Sequence, residues 1–357
     1  MKYAIIGCGR ISPNNIQAAI NNDLDIVAIC DILPERLEEK AAMFGLDDRT
    51  KKYLDYQEML AKEQPDLVAV CTESGKHAQI ALDCIRARCN VIIEKPIALS
   101  IADADRIIEA GRKYQVKVSA CHQNRFNKSI QKIREALEEN RFGRLLHAAA
   151  HIRWNRGKDY YEQAPWRGTW EQDGGALMNQ CIHNIDLLRW MMGEDIVEVS
   201  AYTDKLNHDY VQAEDLGLAI VKFANGSYGL IEGTVNVYPK NLEETLYIFG
   251  EKGTVKAGGK SVNLIEHWCF ADKKDDAEQV IQQHSENPVN VYGFGHTPLY
   301  ADMVQAIQND RSPYVDAHAG KRALELVLAI YQSAKEGRPV RLPLKGCAST
   351  DFIGRFQ

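Results

Sequence analysis

At 357 residues the chain is longer than one ordinary hydrophobic core organises, and two domains are expected. Hydrophobic residues make up 45% and charged residues 26%, the profile of a soluble globular protein, and no apolar run reaches membrane-spanning length. A formal net charge of −6 without a basic tract argues against nucleic acid as a partner, while leaving room for a small anionic ligand held by local arginines.

The N-terminal MKYAIIG runs straight into an expected strand with no signal-like segment, which predicts a cytoplasmic protein. YAIIG, IVAIC, LVAVC, VIIEK and VKVSA are short, β-branched and apolar, as in strands buried on both faces. PERLEEKAAMFG, HAQIALDCIRARC and IADADRIIEAGRKY between them carry helical spacing, so residues 1–121 are expected to form a doubly wound parallel sheet. NRFNKSIQKIREALEENRFG is a further helix, after which the pattern changes. LLHAAAHIRW, IVEVSAYTD, LGLAIVKFANGSYGLIEGTVNV, ETLYIFGEKGTVKAGG and VNLIEHWCF predict a largely antiparallel sheet, with ANGS as a hairpin turn. ADKKDDAEQVIQQHSENP is polar and expected as a mobile loop. PLYADMVQAIQ and GKRALELVLAIYQSAKEG close the chain as helices. The expected fold class is α/β: a Rossmann-type domain (1–121), then an α+β domain (122–357) for substrate binding and oligomerisation, its last helices able to pack back on the first domain. Nine cysteines form no CxxC pair and are expected as buried thiols, with no metal site.

Gly7 and Gly9 end the first strand, with Ser12 where a third glycine would complete GxGxxG. Such a turn brings backbone N–H groups to a pyrophosphate at a helix N-terminus. Asp31 closes the second strand, where a carboxylate accepts from ribose hydroxyls and repels a 2′-phosphate. Ile32 and Leu33 follow with no adjacent arginine, which favours NAD over NADP. Glu94, Lys95 and Pro96 follow the fourth apolar strand, where strand ends face the ligand crevice; a plain surface-turn lysine is the alternative there. In GGALMNQCIH, Asn179 and His183 lie four apart and share a face if the segment is an α-helix. Either the histidine is a core residue or the pair serves one ligand.

These motifs, in this order, resemble the glucose–fructose oxidoreductase/inositol dehydrogenase/rhizopine-catabolism (Gfo/Idh/MocA) family over essentially the whole chain. The resemblance implies an NAD-dependent oxidoreductase in which Lys95 and His183 flank the carbon that exchanges hydride. Most relatives carry aspartate where this chain has Asn179. YYEQAPWRGTWEQDGGALMNQ, YPKNLEETLYIFGEKGTVKAGG and VYGFGH are similar to a narrower group, which implies a UDP-linked acidic sugar oxidised at C3, with 2-oxoglutarate as a candidate hydride acceptor. Catalysis is assigned to Lys95 and His183, His183 being the expected base and Lys95 the oxyanion partner, with exchanged roles open. The candidate cofactor set is Gly7, Gly9, Arg10, Ile11, Asp31, Thr72, Ser74, His77, Glu94, Lys95, Asn124, Trp166 and Arg167. Lys95, Arg125, Tyr160, Arg167, Asn179 and His183 are the candidate substrate set. Tyr292–His296 either wraps the nucleotide end or simply connects to the next helix. A homo-oligomer, dimer or tetramer, through the C-terminal sheet is expected. A free-polyol dehydrogenase and a non-catalytic dinucleotide sensor are the competing functions.

Overall fold

The computed structural model describes residues 1–193, 195–288 and 291–356, which fall into two compact units. The first comprises Met1–His122 with His296–Lys321, the second Gln123–Gly295 with Arg322–Gln357.

In the first unit β1 (Lys2–Ile6), β2 (Asp25–Cys30), β3 (Lys51–Tyr53), β4 (Leu67–Val70), β5 (Asn90–Ile93) and β6 (Val118–Ala120) form one sheet, ordered β3-β2-β1-β4-β5-β6. Every pairing in it is parallel. All four residues of β4 are buried, as expected for strands covered on both faces. Strand order reverses between β1 and β4, so Gly7 and Thr72 leave the sheet at the switch point, where such folds bind ligands. The edge strand β3 was not expected. Its Lys-Lys-Tyr carries no apolar pattern, and that polarity suits an edge that must not recruit another chain. The helix Pro34–Phe44 has proline in its first turn and ends at left-handed Gly45. Ser100 starts Ile101–Tyr114 by accepting the Asp103 N–H at 3.0 Å.

In the second unit β7 (Leu145–Arg153), β8 (Ile196–Asp204), β9 (Leu216–Phe223), β10 (Tyr228–Thr234), β11 (Glu243–Gly250), β12 (Gly253–Gly258), β13 (Leu264–Phe270) and β14 (Val340–Arg341) form a sheet ordered β13-β12-β11-β7-β10-β9-β8-β14. Only β7 and β10 run parallel. Asn225 and Gly226 make the β9–β10 turn, with the Phe223 N–H donating to the Ser227 carbonyl at 3.0 Å. Along β9 the buried Gly217, Ala219, Val221 and Phe223 alternate with outward Leu218 and Ile220, a period-2 pattern that faces one side inward. The helix Ile182–Met192, with Ile185, Leu187 and Leu188 fully buried, packs against β7 on the inner side.

The expected loop at residues 271–288 contains a helix instead, Ala277–His284, capped by Asp276 accepting from the Gln279 N–H at 3.0 Å. Its one buried residue, Val280, is too little apolar surface to show a 3.6-residue period. All nine cysteines are unbridged, but Cys269 is exposed and Cys347 half-buried. No helix among the described residues is long and apolar enough to cross a membrane.

Candidate active site

The first unit assembles the turn residues expected to meet a dinucleotide. Gly7 has φ +96°, and a Cβ there would fall 2.6 Å from the Cys71 carbonyl group, so the β1 turn requires glycine. Gly9 faces open space, and the helix Ser12–Asn21 begins without a side-chain cap. Asp31 is buried and accepts from the Cys8 N–H at 2.8 Å and the Leu33 N–H at 2.9 Å, which locks the carboxylate at the tip of β2. One expectation is corrected here. Arg36, from the first turn of the next helix, places its guanidinium 3.6 Å from Asp31, so a base does stand beside this carboxylate. A helical turn separates the two in sequence, so adjacency along the chain could not show it.

Glu94 and Lys95 follow β5, and the Lys95 side chain is half-buried. Glu94 accepts from the Asn15 amide at 2.8 Å and lies 3.4 Å from His296 Nε2. Burial alone would raise its pKa. The contact with His296, the Asn15 amide and the Lys95 charge override that and hold it down to about 2, so an ionised Glu94 stands behind Lys95. Tyr300 supports Asn15 at 2.7 Å. His296 therefore belongs to the support of the Glu94–Lys95 turn, a role invisible to local sequence patterns. His77, expected near the cofactor, is also reassigned. Its ring nitrogens lie 2.7 Å from the Pro96 carbonyl and 3.1 Å from the Thr72 carbonyl, so it clips two turns together and its polar atoms are taken by backbone. Arg10, Ile11, Thr72 and Ser74 occupy the turns after β1 and β4, at the switch-point ends of those strands.

In the second unit GGALMNQCIH does not begin as a regular α-helix. Leu177–Cys181 form a π turn, and the α-helix begins at Ile182. A π turn contains about one extra residue, so the four-residue spacing of Asn179 and His183 does not establish a common face. The segment is capped from elsewhere: the Leu177 N–H donates to Glu214 at 2.7 Å and the Met178 N–H to the Tyr331 hydroxyl at 3.2 Å. Gly175 has φ +101°, and a Cβ there would strike Glu214 Oε2 at 2.1 Å, which explains the glycine before the turn. Burial pushes the Glu214 carboxyl up to about 8 against these hydrogen bonds. The Asn179 amide donates to Asp173, whose other oxygen accepts the Gly168 N–H at 2.7 Å. A carboxylate absent from position 179 is thus present one contact away.

Arginine and tyrosine side chains gather beside this turn. The Tyr160 hydroxyl accepts from Arg167 and, at 2.7 Å, from Gln180. Arg156 donates to Gln180 Oε1 at 2.9 Å and to Asn241 at 3.0 Å. The Arg167 guanidinium lies over the Tyr160 and Trp166 rings at 4.3 and 4.6 Å, while its buried Nε–H has no hydrogen-bond partner among the described residues. Asn124, in the turn Gln123–Phe126, approaches Glu244 at 3.4 Å. Burial drives Glu244 up to about 8 although the Arg156 charge opposes it, so near neutrality it stands as a carboxylic acid able to donate. Gln180, Asp173 and Glu244 were absent from the sequence-derived set, because no motif marks them.

Arg125 is also placed differently from expectation. It is buried and makes a bidentate pair with Asp186 at 2.7 and 2.6 Å, stacked 4.7 Å over Trp190. Its Nε–H and an Nη2–H are taken up inside the unit, which gives it a structural partner where a substrate contact was expected. Arg153 is held by Glu232 and Glu243, and Trp170 is fully buried among Tyr331, Phe352 and Phe356.

Comparison with known proteins agrees with these features. Residues 1–122 match the profile described as an oxidoreductase family NAD-binding Rossmann fold. Residues 134–342 match the C-terminal alpha/beta domain of the same family. The WlbA dehydrogenase of Bordetella pertussis, solved in complex with NADH and UDP-GlcNAcA, is 36% identical with a TM-score of 0.89, covering 97% of this chain and 98% of that one. WlbA from Chromobacterium violaceum, in complex with the same two ligands, is also 36% identical with a TM-score of 0.88, over 97% and 96%. Myo-inositol 2-dehydrogenase of Thermotoga maritima is 27% identical over 96% of this chain and 98% of its own. The chain is an NAD-dependent oxidoreductase and belongs to the Gfo/Idh/MocA family.

Proposed function

We propose that the chain oxidises the C3 hydroxyl of UDP-N-acetyl-2-amino-2-deoxy-D-glucuronate to the 3-keto sugar nucleotide, a step toward diacetamido-uronic acids of surface polysaccharides such as O-antigen. The observation that carries this reading is the Tyr160–Arg167–Gln180–Arg156 cluster, in which a buried guanidinium N–H awaits an acceptor. Such a donor suits a carboxylate or phosphate oxygen, and a free polyol offers neither. The shared UDP-GlcNAcA complexes of both WlbA proteins support the same substrate. Bound NAD supplies the hydride acceptor. His183 takes the hydroxyl proton and Lys95 donates to the developing oxyanion, or the two exchange roles. Trp166 and Asn124 are proposed as cofactor contacts, Tyr160, Arg167 and Asn179 as substrate contacts.

The test mixes purified protein and NAD with UDP-N-acetylglucosaminuronate, UDP-N-acetylglucosamine, UDP-glucuronate or myo-inositol. A parallel set contains 2-oxoglutarate, with hydroxyglutarate as the readout where NADH is reoxidised in place. The acidic N-acetyl sugar nucleotide should turn over fastest. Activity on inositol with every nucleotide sugar refused would favour the second reading, to which the Thermotoga relative points. NADH formed from none of them would favour a sensor. We extend the proposal to a cytoplasmic homo-oligomer assembled through the outer face of the β8–β10 region. Tyr202 is 82% and Ile220 55% exposed there, beside Leu218 and Leu230. Light scattering that finds a monomer would remove that part.

Arg36 sharpens the cofactor test. Replacing Asp31 with alanine removes the repulsion toward a 2′-phosphate and leaves Arg36 to receive it. The ratio of kcat/KM for NAD to that for NADP should fall by at least about ten-fold. Asp31→Ala with Arg36→Ala should use both cofactors poorly. A native preference for NADP would contradict this view of the site.

A further inference from the structure

His208 is 2% exposed, and Asp215 beside it is wholly buried. The histidine Nδ1 lies 3.0 Å from Asp215 Oδ2, and Nε2 lies 2.6 Å from the Arg156 carbonyl oxygen. A carboxylate and a carbonyl can only accept, so a neutral ring would set one lone pair against another at one of these contacts. His77 is an internal control, since its ring also lies between two acceptors, both neutral carbonyls. There burial prevails and lowers the pKa. At His208 burial pulls the same way, but the Asp215 hydrogen bond, the Arg156 carbonyl and the Asp215 charge outweigh it, and the pKa is raised. Asp215 is itself fixed by the N–H groups of Leu206, Asn207 and His208 at 3.0, 2.8 and 3.0 Å and by the Asn236 amide at 2.9 Å.

We propose that His208 is a positioning residue: a buried imidazolium whose Nε2–H holds the Arg156 carbonyl and thereby fixes the segment from Arg156 to Arg167. The chain leaves the β7 extension at Arg156 and turns through Lys158–Tyr161. Tyr161 and Tyr210 cover the ring at 5.6 and 5.4 Å. Acidic groups surround this cover. Asp173 lies near Tyr161, and Asp209, Glu162 and Asp159 lie near Tyr210. The same segment aims Arg156 at Gln180 and Arg167 at Tyr160. Deprotonating His208 as pH rises through its raised pKa removes one of the two ring donors, so grip on the segment is complete at low pH and lost on the alkaline side.

The consequence for substrate rests on the proposed function, so the test separates the two. With NAD bound and histidine nitrogens ¹⁵N-labelled, both His208 ring nitrogens should remain protonated at a pH where a free imidazole is half titrated. A neutral tautomer at that pH overturns the proposal. His208→Gln keeps a donor toward Asp215 without a ring charge. It should speed amide hydrogen exchange across residues 157–167 by about ten-fold or more, a result that needs no substrate. With UDP-N-acetylglucosaminuronate it should raise KM about ten-fold and leave kcat within about two-fold. The alkaline rise in KM of the native protein should be absent from the variant. His208→Phe, which strands Asp215, should give the larger exchange effect. Unchanged exchange in both variants overturns the proposal. Faster exchange with no response to any nucleotide sugar supports it and sinks the substrate reading alone.

Discussion

Replacing Lys95 or His183 with alanine is expected to lower turnover by on the order of 100-fold or more, while NAD binding and the unfolding midpoint stay close to native. The expectation for Lys95 comes from its setting. It stands at the end of β5 on a turn braced by His77, with the carboxylate of Glu94 behind it held ionised by His296 and Asn15. That much support for one half-buried lysine is out of proportion to a surface turn. His183 stands just after the π turn, an element that departs from regular helix and is held by Glu214 and Tyr331. π turns recur at functional sites because the irregularity re-aims the side chains that follow. If both residues serve one proton-transfer step, the double variant should be scarcely slower than the worse single one. Initial rates at saturating NAD, with NADH titrated separately, decide this. Normal turnover in His183→Ala would return the helix to a structural role.

The parallel sheet was legible because its strands are buried on both faces and therefore apolar throughout; YAIIG, LVAVC and VIIEK need no partner to be recognised. The hairpin at Asn225–Gly226 was legible because its turn requires particular residues. What escaped was whatever distant parts of the chain decide. Glu214 and Tyr331 set the backbone of GGALMNQCIH from far along the sequence, and with it the π turn. His296 reaches Glu94 across about two hundred residues of sequence. Arg36 approaches Asp31 only because a helix begins between them. Glycine at 175 could be read as a marker of something tight, but the carboxylate that makes it tight could not. Arg125 shows the same limit from the other side. An arginine just past a strand end suits an anionic substrate, and only the fold reveals the aspartate that claims it.

Arg125→Ala should accordingly behave as a core lesion. The guanidinium and the Asp186 carboxylate are 5% and 2% exposed and share two hydrogen bonds. Removing one partner of a buried pair strands the other charge in a poorly solvated place, at a cost of about 3–5 kcal/mol. The same change takes the guanidinium from the face of Trp190, where Arg134, 4.9 Å from the same ring, cannot replace its hydrogen bonds. Lysine is a poor substitute, because an ammonium cannot bridge both oxygens while lying flat on the indole. Denaturant unfolding should therefore show a large loss for Arg125→Ala and a smaller but clear one for Arg125→Lys. Arg125→Met combined with Asp186→Leu should recover much of that loss, since a packed apolar pair escapes the desolvation penalty of the ions. At temperatures where Arg125→Ala remains folded, its KM for the sugar nucleotide should stay within about three-fold of native. Native stability together with a KM raised more than about ten-fold would instead make Arg125 a substrate ligand, and the ion pair a resting contact that substrate displaces.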